Sequence, residues 1–202
     1  LRFGQEQTII GTARALATSL HERPNLFNNQ ASFLPDVEKG KDLYGYQLSQ
    51  AINLDGLPND WPNFQEKAHY YGVNNQLRGK LTVDKLTNHF SAAVGKYDKH
   101  LYFFIQVVDD KVIYRDKNAR SINKNDHLEL AINDVNGNLQ RFIISNKDQG
   151  WISAYRINDL VSNEILEFPK VISFIQGQWL NTKQGYNIEL RIPLTKISDR
   201  LA

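Results

Sequence analysis

The sequence predicts a mainly β fold, an antiparallel β-sandwich, preceded by one long N-terminal α-helix. Three observations predict it. The run Leu101 to Val108 is dense in aromatic and β-branched residues on both of its faces, as expected of a strand covered on both sides. Short alternating segments recur after it, separated by clusters of turn-forming residues. Near the start of the chain a single stretch instead repeats its apolar residues at helical spacing.

Composition bounds what the chain can be. Its 202 residues suit one domain, or one domain with an appendage, and 41% hydrophobic and 11% aromatic residues are enough for a packed core. A formal net charge of +2 points neither to nucleic acid nor to an acidic partner. The absence of cysteine excludes a cysteine metal cluster, a thiol nucleophile and disulfides. There is no methionine, not even at position 1, so a mature exported chain or a piece of a longer protein is expected. No stretch reads as a signal peptide or a membrane span.

In chain order, Gly4 to Arg23 reads as the helix. Ile9, Ala13, Leu16, Ala17 and Leu20 share one face, and Arg23-Pro24 stops it. A helix of that length is about 30 Å long. It can pack on the sheet or continue a transmembrane helix; the two roles are not exclusive. Asn25 to Lys41 is a polar linker, so residues 1–41 form the helix and linker and residues 42–202 the sandwich.

Within the sandwich, Tyr44, Tyr46, Leu48 and Ile52 alternate as a strand. Asp55-Gly56-Leu57-Pro58-Asn59-Asp60-Trp61-Pro62 is a dense cluster of turn formers ending on a large aromatic. Gln65 to Tyr71 is a short helix or an irregular stretch, and Lys80 to Val83 a short strand. Phe90 to Tyr97, the turn Asp98-Lys99-His100 and Leu101 to Val108 make a hairpin. Leu128 to Ile132 alternates cleanly. An Asn136-Gly137 turn then leads into Leu139 to Ser145. Trp151 to Ile157, Val171 to Gln176 and Tyr186 to Ile192 are the remaining strands, with Gln178 to Gly185 as a separator and Pro193 as a stop.

No nucleophile, phosphate-binding loop or zinc-protease motif is present, and His21, His69, His89, His100 and His127 show no metal-ligand spacing. No catalytic residue, no cofactor and no metal site is therefore expected. Asp109-Asp110 and Asp126 can serve as paired carboxylates, as calcium ligands or as caps of strand ends. Sugar binding needs flat aromatic faces with amide and charged groups around them. Trp61 reads as core, which leaves Trp151 and Trp179 as candidate stacking platforms.

The order Asp55-Gly56, Asp60-Trp61, Leu101-Tyr102, Val107-Val108-Asp109, Asp126-His127-Leu128-Glu129-Leu130 and Gly185 to Leu194 resembles family 9 carbohydrate-binding modules and the related DOMON-like β-sandwiches, over roughly residues 43–195. The segments Gln5 to Ala17 and His21 to Phe27 resemble the membrane-proximal helix of extracytoplasmic sensor domains in bacterial histidine kinases. The combination is similar to the histidine kinases of proteobacterial dedicated sortase systems. That resemblance implies a periplasmic sensing domain of an inner-membrane protein, flanked by transmembrane helices and working as a homodimer in a two-component system. Its ligand would be a small molecule, a glycan or an envelope protein. Such a domain brings both its ends to one side, so Gly4 and Ala202 are expected at the same pole. The alternative is a carbohydrate-binding module of a secreted glycoside hydrolase. Haem-binding DOMON domains use methionine and histidine, and methionine is missing here.

Overall fold

A computed structural model describes residues 45–72, 89–118, 121–157 and 170–197. The expected helix Gly4 to Arg23, the linker, the strand at Lys80 to Val83 and the relation of Gly4 to Ala202 lie outside the described residues. The described chain is mainly β. Its strands are β1 (Gly45–Gln47), β2 (His69–Tyr71), β3 (His89–Tyr97), β4 (His100–Val108), β5 (Leu128–Asn133), β6 (Leu139–Ile144), β7 (Gly150–Trp151), β8 (Ala154–Ile157), β9 (Lys170–Ile172), β10 (Gln176–Thr182) and β11 (Gly185–Pro193). One short helix, α1 (Phe64–Lys67), and two 3-10 turns accompany them.

The strands form two sheets. The larger has the order β1-β3-β4-β11-β10-β7, with β2 also paired to β3. The smaller has the order β5-β6-β8-β9. All pairings are antiparallel except β1 with β3, so the larger sheet is mixed. The β3–β4 hairpin closes through Asp98 at φ 48, a left-handed position that aspartate tolerates better than most residues.

Strand β4 is covered on both sides, and its sequence shows why. Leu101, Phe103, Ile105 and Val107 point into the main core. That core also takes Tyr186, Ile188, Leu190 and Ile192 of β11 and, from the smaller sheet, Leu128, Leu130, Phe142 and Ile144. The alternate residues Tyr102 and Phe104 point the other way. There they meet Leu48, Ile52, Trp61 and Phe64, which lie over the outer face of the larger sheet. Trp61 is core, as its position after the turn cluster suggests.

Three expectations are corrected. The alternating stretch through Tyr46, Leu48 and Ile52 forms a strand only at Gly45–Gln47; beyond it the chain leaves the sheet to cover that outer face. Trp151 to Ile157 is two strands in different sheets. The chain breaks at Ile152 and Ser153, where the Ile152 N–H donates to the Gly177 carbonyl and the Ser153 N–H to Asn146 Oδ1. The stretch Gln178 to Gly185 is not a separator. Its first part belongs to β10, where Gly177 and Trp179 are buried while Gln176 and Gln178 alternate with them. Gln178 and Thr182 fall on the outer face of that strand, and Asn181 lies on the Trp179 face at its exposed end.

Candidate binding surface

The outer face of the larger sheet carries three of the motifs behind the resemblance: Asp55-Gly56, Asp60-Trp61 and the Asn187 to Glu189 part of the last. Glu189 stands in the middle of β11, fully buried, and its carboxylate gathers three N–H groups. The Asp55 and Gly56 amides donate to Oε2 at 2.9 and 2.8 Å, and the Trp61 indole donates to Oε1 at 2.8 Å. Two residues along the same face of β11, Asn187 Nδ2 donates to the Gly56 carbonyl at 2.9 Å. The turn is also held from within. The Leu57 N–H donates to Asp55 Oδ1, and the Asn53 N–H to Asp60 Oδ2. Thus the separate signals Asp55-Gly56, Asp60-Trp61 and Asn187-Ile188-Glu189 form one hydrogen-bonded unit.

Gly56 is required twice over. Its φ is +77, and a Cβ there would stand 2.7 Å from Leu180 Cβ on β10. Gly56→Ala should therefore destabilise the fold by about 1–3 kcal/mol, read as a lowered midpoint in urea.

Burial pushes the Glu189 carboxyl up to about 7, against the opposing pull of the Trp61 and Gly56 donors; the Asp55 charge adds to the rise. Neither Glu189 nor Asn187 stood out as a functional candidate in the sequence. The signal available was polar residues on a strand otherwise rich in Tyr, Ile and Leu. They are buried polar groups that hold a loop, so their role is positional.

The two candidate stacking tryptophans part company. Trp151 is 67% exposed on edge strand β7. It pairs with Gln178 in register and so shares that residue's face of the sheet, the outer one. The turn held by Glu189 passes close to the same row, since a Cβ on Gly56 would lie 3.5 Å from Gln178 Cγ. Leu57, in that turn, is 40% exposed. An aromatic face beside a carboxamide is a suitable platform for the apolar face of a sugar ring, with the amide on its hydroxyls. Trp179 faces the other way. It has no exposed surface and stacks on Tyr186 at 4.3 Å in the main core. Its side chain offers no surface platform, which corrects the expectation placed on it.

The other candidates are also placed. Asp126 Oδ2 accepts the Ile113 N–H at 2.7 Å and Asp109 Oδ1 accepts the Lys111 N–H at 3.0 Å, so both carboxylates brace the loop between β4 and β5. Burial pushes the Asp109 carboxyl up to about 6. His127 is buried with Nδ1 2.6 Å from the Asn125 carbonyl oxygen and Nε2 3.8 Å from Glu129 Oε1. No group of three or more histidine, aspartate or glutamate side chains among the described residues could hold a metal ion. No helix among them is long and apolar enough to cross a membrane. Comparison with known proteins finds no matching family model, no matching curated protein and no matching solved structure.

Proposed function

We propose that the chain is a non-catalytic recognition domain with a β-sandwich fold of the carbohydrate-binding-module and DOMON-like kind. In this reading it is the extracytoplasmic ligand-sensing domain of a membrane-bound two-component histidine kinase. It occupies the periplasmic side of the inner membrane, dimerises through the whole protein and passes its signal to a cytoplasmic kinase core. The observation that supports it best is the Glu189 unit. Residues scattered from 55 to 189, which carry the resemblance, are joined by direct hydrogen bonds. A carbohydrate-binding module of a secreted glycoside hydrolase is the second reading, and exposed Trp151 beside Gln178 favours it.

Both readings place ligand contact on the outer face at Trp151. The 202-residue chain should be screened on a glycan array and by thermal shift, then compared with Trp151→Ala. Binding should be lost in the variant while unfolding free energy stays within about 0.5 kcal/mol, as for most exposed positions. Retained binding in Trp151→Ala would remove that surface from consideration. The two readings separate on the gene product: a kinase core in the same polypeptide, whose autophosphorylation responds to the ligand, supports the sensor, and a glycosidase domain supports the module.

A further inference from the structure

The strand register lays out the outer face around Trp151 residue by residue. Trp151 lies opposite Gln178 and Gln178 opposite Glu189, while Gln176 lies opposite Arg191. Leu190 and Ile192 belong to the main core, so Arg191 between them faces outward with Gln176, Gln178 and Trp151. Its guanidinium donates a short hydrogen bond from Nη2 to Gln176 Oε1. It thus leans from β11 onto β10, the strand that carries the Trp151 edge. By strand spacings the Cα atoms of Trp151 and Arg191 stand about 12 Å apart. The turn at Asp55 to Leu57 walls this shelf, since a Cβ on Gly56 would meet Leu180 and Gln178.

Arg191 carries a charge that the protein does not use. No carboxylate lies within ion-pair distance of it among the described residues. Its other N–H groups are not shut away, as Nε of Arg115 and Nε of Arg156 are, so solvent reaches them. The acids near this face have donors of their own. Glu189 turns to the Asp55 and Gly56 amides and the Trp61 indole. Asp55 accepts the Leu57 N–H and the Asn53 side-chain amide, and Asp60 accepts the Asn53 N–H.

We propose that this shelf binds an acidic saccharide built of uronic acid units, with one ring on Trp151 and the carboxylate of another unit on Arg191. This names the ligand class for the Trp151 surface and rests on that reading. A guanidinium offers its N–H groups in a planar fork that matches a carboxylate, and the bond to Gln176 fixes the direction of the fork in advance. Gln178, between the two anchors, has both a donor and an acceptor for ring hydroxyls. A neutral saccharide would engage Trp151 and Gln178 but leave the guanidinium unmatched. A small anion without rings would engage Arg191 alone. The spacing of the anchors calls for more than one sugar unit.

The test titrates the 202-residue chain by calorimetry with trigalacturonic acid, with its methyl ester and with tripolyphosphate, at matched ionic strength. The ester keeps every ring and hydroxyl and removes only the charge. The acid should bind at least about tenfold more tightly than the ester and than tripolyphosphate. Arg191→Gln should bring the acid down to the affinity of the ester and leave the ester unchanged. Trp151→Ala should abolish binding of both saccharides. Arg191→Lys keeps the stem and the charge but not the fork, so it should reduce the preference for the acid severalfold, and it decides alone should Arg191→Gln fail to fold. Equal affinity for acid and ester, with both lost in Trp151→Ala, overturns the proposal and leaves the Trp151 surface standing. A preference for the acid that survives in the Arg191 variants, acid binding retained in Trp151→Ala, or tripolyphosphate binding as tight as the acid also overturns it. So does absence of binding by either saccharide, in which case the glycan array reads separately whether Trp151 takes a different glycan.

Discussion

Glu189→Ala should lower the unfolding free energy by about 3–5 kcal/mol, measured by urea denaturation at pH 7, because it removes the shared acceptor of three donors and orphans two of them. The Asp55 and Gly56 amides and the Trp61 indole all end on this carboxylate. The Asp55 N–H also reaches the Asn53 carbonyl at 2.9 Å, whereas the Gly56 amide and the Trp61 indole lose the acceptor that holds them. The Trp61 ring also packs in the outer core, 5.9 Å from the Phe104 ring, so releasing its indole loosens an apolar cluster along with the turn. Glu189→Gln is a milder change with a sharper meaning. Its amide oxygen can keep the two backbone donors, but its NH2 then faces the Trp61 N–H, donor against donor. A loss of about 1–3 kcal/mol is expected.

The pH dependence of that loss follows from linkage. Burial raises the folded-state pKa of Glu189 from the usual 4.5 to about 7. The folded state therefore holds a proton that the unfolded state releases between those values. The stability this contributes is fully present below about 4.5 and is lost as pH rises through 7. Glutamine cannot gain it. The penalty of Glu189→Gln should accordingly be larger at pH 4.5 than at pH 8. If instead the three donors outweighed desolvation, the carboxylate would be the favoured form and the penalty would shrink toward acid. Denaturation of both proteins at the two pH values separates the alternatives.

Most of the strand framework could be read from local pattern. Strands β3, β4, β5, β6, β8 and β11 are runs whose apolar residues alternate or crowd, with turn signals at Asp98 and at Asn136-Gly137. What escaped was structure decided by distant partners. Strand β10 looks like a loop because Gln176, Gln178, Asn181 and Thr182 dominate it, and only its pairing with β11 along Gln176 to Thr182 makes it a strand. The division of Trp151 to Ile157 between two sheets depends on the Gly177 carbonyl and Asn146, neither of them a neighbour in sequence. The Glu189 unit joins residues more than 120 positions apart. No window along the chain contains both halves. For the same reason Trp151 and Trp179 could not be told apart: each lies in a polar stretch, and register alone sends them to opposite faces of the sheet.

That difference sets the second large effect. Trp179→Ala should cost about 3–5 kcal/mol, the range for truncating a buried aromatic, because the ring has no exposed surface and its neighbours cannot all collapse into the space. One face stacks on Tyr186 and Tyr114 leans over the ring, so its removal strips contacts from both. Trp179→Phe should cost less, about 1–2 kcal/mol, since it keeps part of the stack and discards an indole N–H that has no acceptor. Trp151→Ala, on the exposed edge strand, should stay within about 0.5 kcal/mol of wild type. Urea midpoints for the three variants should therefore fall in the order Trp151→Ala, Trp179→Phe, Trp179→Ala, from nearly unchanged to lowest. A Trp179→Ala protein as stable as wild type would mean that β10 presents its other face to the core. Gln178 and Leu180 would then be inside, and the register that places Trp151 on the outer face would be reversed with it.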